Sequence, residues 1–192
     1  MHSFCEDLEE VLLTEAQIQR RLDELAAQLR SDYAGRELTM VGLLTGSVLF
    51  VADLVRRLPG RLRLDFLGIS SYRGETASSN RLNVTKELQL DVRDRDVLVV
   101  DDIWDTGATL ARARDLIVQM GPRSLKFCVL LEKDVRLQTD VVADYVGFRI
   151  PARFVIGYGL DYQERYRNLP CIGVLKPDVL SSRAAADTRR RG

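Results

Sequence analysis

Histidine is almost missing from this sequence: His2 is the only one in 192 residues. It lies beside a chain end, where order is poor, so an imidazole base or an imidazole-bound metal is excluded from the chemistry. Cysteine is nearly as scarce. Cys5, Cys128 and Cys171 form an odd, scattered set without the close spacing of a zinc site or a redox pair, and they read as idle thiols in a reducing compartment. Neither sign of charge is in excess, with 28 Lys plus Arg against 28 Asp plus Glu. No global field therefore draws the protein to nucleic acid or to an anionic membrane, and any anionic ligand must be held locally. No apolar run reaches the length needed to span a bilayer, and the opening MHSFCEDLEE is acidic where a signal peptide is basic. A cytoplasmic protein is expected, with no nucleic-acid and no membrane partner.

What is present is an alternation of strands and helices. The segment TEAQIQRRLDELAAQLR begins with Thr14 and Gln17 in capping-box spacing, and Ile18, Leu22, Leu25, Ala26 and Leu29 share one helical face. LTMVGLL (38–44) reads as a buried strand, TGS as a turn, VLFVADLVRRL (48–58) as a helix stopped by Pro59 and Gly60, and RLDFLGISS (63–71) as the next strand. An exposed loop, YRGETASSNR (72–81), precedes a strand-like LNVTKEL. The unit then repeats as VLVV, an acidic turn, the helix TLARARDLIVQM and the strand LKFCVLL. Such alternation predicts an α/β fold, a central mostly parallel sheet flanked by helices, with ligands bound at the carboxyl ends of the strands. DYVGF, FVIGYGL and CIGVL lie too close together for crossover helices and predict a small antiparallel or irregular cap. One domain over residues 1–180 and a disordered tail over 181–192 are expected. The apolar faces of the first two helices look larger than one thin sheet requires, which suggests a subunit interface.

The stretch VLVVDDIWDTGATL (97–110) carries the chemistry. Asp101 and Asp102 end a buried strand, and Asp105 follows at the same sheet edge. Adjacent carboxylates repel one another, and they make sense beside cations or the hydroxyl donors of a sugar. Thr106, Gly107, Ala108 and Thr109 lead into a helix whose free N–H groups and positive dipole end suit an anion. Diol acceptors beside a phosphate cradle describe a ribose 5-phosphate site. The ordinary alternative is that Asp105 or Thr106 merely N-caps the helix. A P-loop lysine motif and a dinucleotide glycine fingerprint are both absent.

These residues resemble the phosphoribosyl pyrophosphate (PRPP) signature of type I phosphoribosyltransferases. With VGLLTGSVLFVADLVRRL, SSY, LLEK, DYVGFRIPARFVIGYGLDYQERYRNLP and IGVLKP, the chain resembles the hypoxanthine-guanine phosphoribosyltransferase family from residue 11 to about 178. The resemblance implies the type I phosphoribosyltransferase fold with a C-terminal hood. It implies transfer of the 5-phosphoribosyl group of PRPP to N9 of hypoxanthine or guanine, giving IMP or GMP plus pyrophosphate. On it, Asp101 and Asp102 hold the ribose hydroxyls directly or through Mg²⁺, Thr106 to Thr109 grip the 5-phosphate, and Asp105 meets purine N7 as general base. Leu44, Thr45 and Gly46 would bind pyrophosphate through a loop with a cis bond between Leu44 and Thr45, together with Arg167. Lys133 would donate to the 6-oxo group, Phe154 stack on the base, and Val155 and Asp161 read its edge through the main chain. Asp161 would also be a metal-linked acid, and Ser71 and Tyr72 would form a lid.

Mg²⁺ is expected on chemical grounds too, because pyrophosphate leaves poorly unless its charge is offset. Two positions depart from the pattern: Thr45, where relatives often carry Lys, and Trp104, where they usually carry Ile or Leu. The ring of Trp104 either reshapes the cleft wall or packs outward. The family forms homodimers and homotetramers. The competing readings are a non-catalytic PRPP- or nucleotide-binding regulator of the same fold, and a relative tuned to xanthine.

Overall fold

The computed structural model describes residues 4–71, 82–136 and 138–179, with nothing stated for the side chains of Phe4, Cys5 and Ser71. The expected lid loop from Tyr72 onward, the tail and His2 lie outside the described residues. After a 3-10 turn at Phe4–Asp7 come β1 (Leu8–Leu13), α1 (Glu15–Asp32), β2 (Leu38–Leu44), α2 (Val48–Val55) and β3 (Leu62–Ser71). β4 (Leu82–Lys86), β5 (Asp96–Trp104), α3 (Ala108–Val118), β6 (Ser124–Lys133), β7 (Tyr145–Ile150) and β8 (Ile172–Leu175) follow.

The main sheet has the order β4-β3-β2-β5-β6-β7. All neighbours in it are parallel except β4, which runs antiparallel to β3. Strand alternation divides the core. Leu98, Val100, Cys128 and Leu130 face the cluster that holds the buried sides of α1 and α2, while Val97, Val99, Phe127 and Val129 face α3. α1 starts where its capping box places it: Thr14 accepts from the Gln17 amide and the Gln17 side chain accepts from the Thr14 amide. α1 also serves the sheet edge, because Arg21 donates to the carbonyls of Val146 and Gly147 in β7 at 2.7 and 2.8 Å.

Three expectations need correction. DYVGF is not part of a cap. It becomes β7, the parallel edge strand of the main sheet, reached from β6 by a loop rather than a helix. The cap is built instead from β8 and from β1, a strand the sequence reading did not anticipate, paired antiparallel as Leu8↔Leu175 and Leu13↔Ile172. Asp7 accepts from the Tyr166 hydroxyl at 2.7 Å, and Glu10 pairs with Arg153. Finally, Ile18, Leu22, Leu25, Phe50 and Leu54 are fully buried within the chain, so these faces of α1 and α2 provide no argument for a subunit interface.

The hairpin of β3 and β4 is pinned by one buried carboxylate. Asp65 accepts from the Phe66, Gln89 and Leu90 amides and from Lys86 Nζ at 2.6 to 3.0 Å. These bonds hold its pKa down at about 2, against the opposing effect of burial.

Candidate functional site

Parallel pairing puts the ends of β2, β5 and β6 side by side. Trp104 stands opposite Glu132 in that register, so the next residue of each strand end, Asp105 and Lys133, come together. They form an ion pair at 2.9 Å, with Lys133 largely enclosed and Asp105 half exposed. Asp105 is therefore not a helix cap. The N-cap of α3 is Gly107, in the left-handed region at φ 90°, with no side-chain hydrogen bond to the first turn. The amides of the Thr106 to Thr109 turn thus keep their capacity for an external anion.

Asp101 and Asp102 lie near the carboxyl end of β5. Burial first, and the neighbouring carboxylate second, raise Asp101 well above the ordinary carboxylate range. Asp102 is raised as well, chiefly by burial. Its carboxylate fills the space beside Gly46, where a Cβ would come within 1.7 Å of Oδ2. The acidic strand end and the β2 loop are thereby in direct contact. The peptide bond between Leu44 and Thr45 in that loop is cis, and Thr45 is exposed. Ser47 anchors the loop from below by donating to the Leu43 carbonyl at 2.5 Å.

The hood supplies the remaining residues. Arg167 donates to the Gly159 carbonyl at 2.7 Å and pairs with Asp161 at 2.9 Å. The second oxygen of Asp161 accepts from the Glu164 amide at 2.9 Å. Phe154 is 51% exposed, in an edge-on contact with Tyr162 at 5.9 Å between ring centres, while its neighbour Val155 is buried. An aromatic left half in solvent is not serving the core, so its ring face is available to a planar ligand.

Trp104 packs into the core cluster beneath α3 and is only 4% exposed, so it does not line the cleft. Ser71 ends β3, and Tyr72 lies outside the described residues. No group of three or more His, Cys, Asp or Glu able to hold a metal occurs among the described residues. Asp161 is thus not gathered with Asp101 and Asp102 into one acid cluster, since its own oxygens are taken by Arg167 and Glu164. The two adjacent carboxylates, Asp101 buried and Asp102 partly exposed, do suit Mg²⁺, which prefers one or two carboxylates with phosphate and water completing its shell. The direct pairing of Asp105 with Lys133 was not anticipated. Its signal lay in the strand register, which the sequence alone does not supply.

A family model described as the phosphoribosyl transferase domain matches residues 10–163. The hypoxanthine-guanine phosphoribosyltransferase of Staphylococcus aureus strain Mu50 is 47% identical over 176 residues, 92% of this chain and 98% of the relative. A crystal structure of a hypoxanthine phosphoribosyltransferase from Staphylococcus aureus has a TM-score of 0.87 at 47% identity, covering 93% of this chain and 98% of that one. The hypoxanthine phosphoribosyl transferase of Trypanosoma cruzi has the same TM-score of 0.87 at 37% identity, over 94% of this chain and 97% of that one. The turn at a strand end, the carboxylate pair below it and these likenesses agree, and the chain belongs to the phosphoribosyltransferase family.

Proposed function

We propose that the protein transfers the 5-phosphoribosyl group of PRPP to N9 of hypoxanthine or guanine, giving IMP or GMP and pyrophosphate. The observation that carries this reading is the Asp105–Lys133 pair at 2.9 Å, set beside an uncapped phosphate turn. A 6-oxopurine offers an N7–H donor next to a carbonyl acceptor, the complement of a carboxylate next to an ammonium. Adenine presents an amino donor where Lys133 needs an acceptor and is disfavoured. Phe154 stacks on the base and the backbone at Val155 and Asp161 reads its far edge.

In the reaction, the Thr106 to Thr109 turn holds the 5-phosphate and Asp101 and Asp102 hold the ribose hydroxyls, which fixes C1 of the sugar near Asp105. Asp105 keeps purine N7 in hydrogen bond and takes the proton as N9 bonds to C1. The loop amides of Leu44, Thr45 and Gly46, with Arg167 released from Asp161, receive the departing pyrophosphate. Asp101 and Asp102 would hold Mg²⁺, which supplies charge neutralisation for that leaving group when bound. Asp161 acts mainly by holding Arg167 until then. Ser71 and Tyr72 cover the site and exclude water.

Residues 1–180 form one functional domain in this reading, and the protein works in the cytoplasm as a homodimer or homotetramer. No helix among the described residues is long and apolar enough to cross a membrane. The test is a nucleotide-formation assay with PRPP and Mg²⁺, run in parallel with hypoxanthine, guanine, xanthine and adenine and with a metal-free control. Product from hypoxanthine or guanine, with none from adenine and none without metal, is expected. PRPP binding without product from any base would replace this reading with that of a regulator, and a preference for xanthine would move it to a relative of different base choice.

A further inference from the structure

Three consecutive residues of the loop between β6 and β7 reach across to the turn that starts α3. The Gln138 amide donates to the Thr106 carbonyl at 3.0 Å, and Asp140 pairs with Arg114 of α3 at 2.7 Å. Thr139, between them, lies against Gly107. A Cβ on Gly107 would come within 2.3 Å of Thr139 Oγ1 and 3.2 Å of Trp104 Nε1. The left-handed φ of 90° and this close approach both require glycine here. Trp104 enters the same junction from the strand below, almost fully buried.

Two polar atoms at this junction stand out. The indole Nε1 of Trp104 and the hydroxyl of Thr139 are both buried and have no hydrogen-bond partner. Buried polar atoms are nearly always satisfied. Here one is a donor only and the other can accept, and both converge on the glycine of the phosphate turn. A purely apolar filler would serve packing alone and would leave no orphan donor.

We propose that Trp104 and Thr139 form a brace beneath the phosphate turn that sets the position of its amides. Their mutual hydrogen bond closes when a 5-phosphate draws the turn into its bound position. Neither residue touches substrate, so both are positioning residues. The inference rests on the phosphoribosyl reading given above, and it assigns a task to the loop between β6 and β7.

Trp104 is the only tryptophan in the chain, so its emission reports on this junction in the intact protein. The experiment compares wild type, T139V and T139S by fluorescence titration with PRPP and Mg²⁺, by steady-state kinetics with hypoxanthine, and by thermal unfolding. Wild-type emission shifts on binding PRPP. T139V loses that shift and raises the KM for PRPP by about three- to tenfold, the range of one hydrogen bond, while kcat and the KM for hypoxanthine stay within about twofold. T139S, which keeps the hydroxyl, restores both. If T139V fails to fold, W104F removes the indole donor but keeps an aromatic ring, and its KM for PRPP is read in the same way.

Unchanged emission response and PRPP KM in T139V, with nucleotide still formed, overturn the brace and leave the proposed function standing. A T139S as impaired as T139V also overturns it, since packing and not the hydroxyl would then matter. A wild type that neither binds PRPP nor forms nucleotide overturns the proposed function itself, and this is seen before any variant is compared.

Discussion

Lys133 and Asp105 lie within 2.9 Å of each other, so a bound base that meets one also meets the other. Asp105→Asn keeps the shape but removes the proposed proton acceptor. It is expected to lower kcat by about 10² to 10⁴ with little change in the KM for PRPP, measured by initial rates of nucleotide formation. Lys133→Met removes the proposed donor to the 6-oxo group, and the ratio of kcat/KM for hypoxanthine over adenine should collapse toward unity. The buried carboxylates carry a cost of another kind. Asp101 is raised in the folded state, so the native protein holds that proton more tightly than the unfolded chain, and stability falls as pH rises through the two pKa values. Asp101→Asn removes the penalty, and the midpoint of thermal unfolding should rise at neutral pH while PRPP binding is lost. A midpoint that falls instead would show that the carboxylate is stabilised by contacts other than those described.

At the scale of elements, the β3–β4 hairpin depends on Asp65, whose pKa is depressed to about 2 from 3.8. The sign follows from the depression: its stabilisation is complete above pH 3.8 and disappears as pH falls through 2. A shift of this size is worth about 2 kcal/mol, so Asp65→Asn should destabilise by about that amount at pH 7 and progressively less below pH 4, read by urea unfolding across that range. Elements with strong local patterns were legible in the sequence. The capping box of α1, the apolar runs of β2, β5 and β6, and the acidic turn all appear where their periodicity and punctuation put them. β1 was not legible, because only Leu8 and Leu13 of its residues are buried and its partner lies some 160 positions further on. β7 was misassigned because its parallel crossover carries no helical pattern to announce it. The acids of the site could be read directly, but the Asp105–Lys133 pair could not, since it exists only through the register of β5 with β6.

For the whole molecule, the inward faces of α1 and α2 are spent on the chain's own core, so the proposed dimer or tetramer has to use residues left at the surface. Light scattering on the purified protein should return a mass of two or four times 21.7 kDa, and a stable monomer at micromolar concentration would remove the oligomer from the reading. The hood is held to the N-terminal segment by the ladder of β8 with β1, by Tyr166 on Asp7 of the 3-10 turn and by Arg153 on Glu10 of β1. Glu10→Arg should therefore loosen Phe154, the neighbour of Arg153, and raise the KM for hypoxanthine more than that for PRPP. The same ladder orders events during synthesis. A ribosome makes β1 first, yet β1 has no partner until Ile172 to Leu175 emerge, so the hood closes only once the last strand has been made.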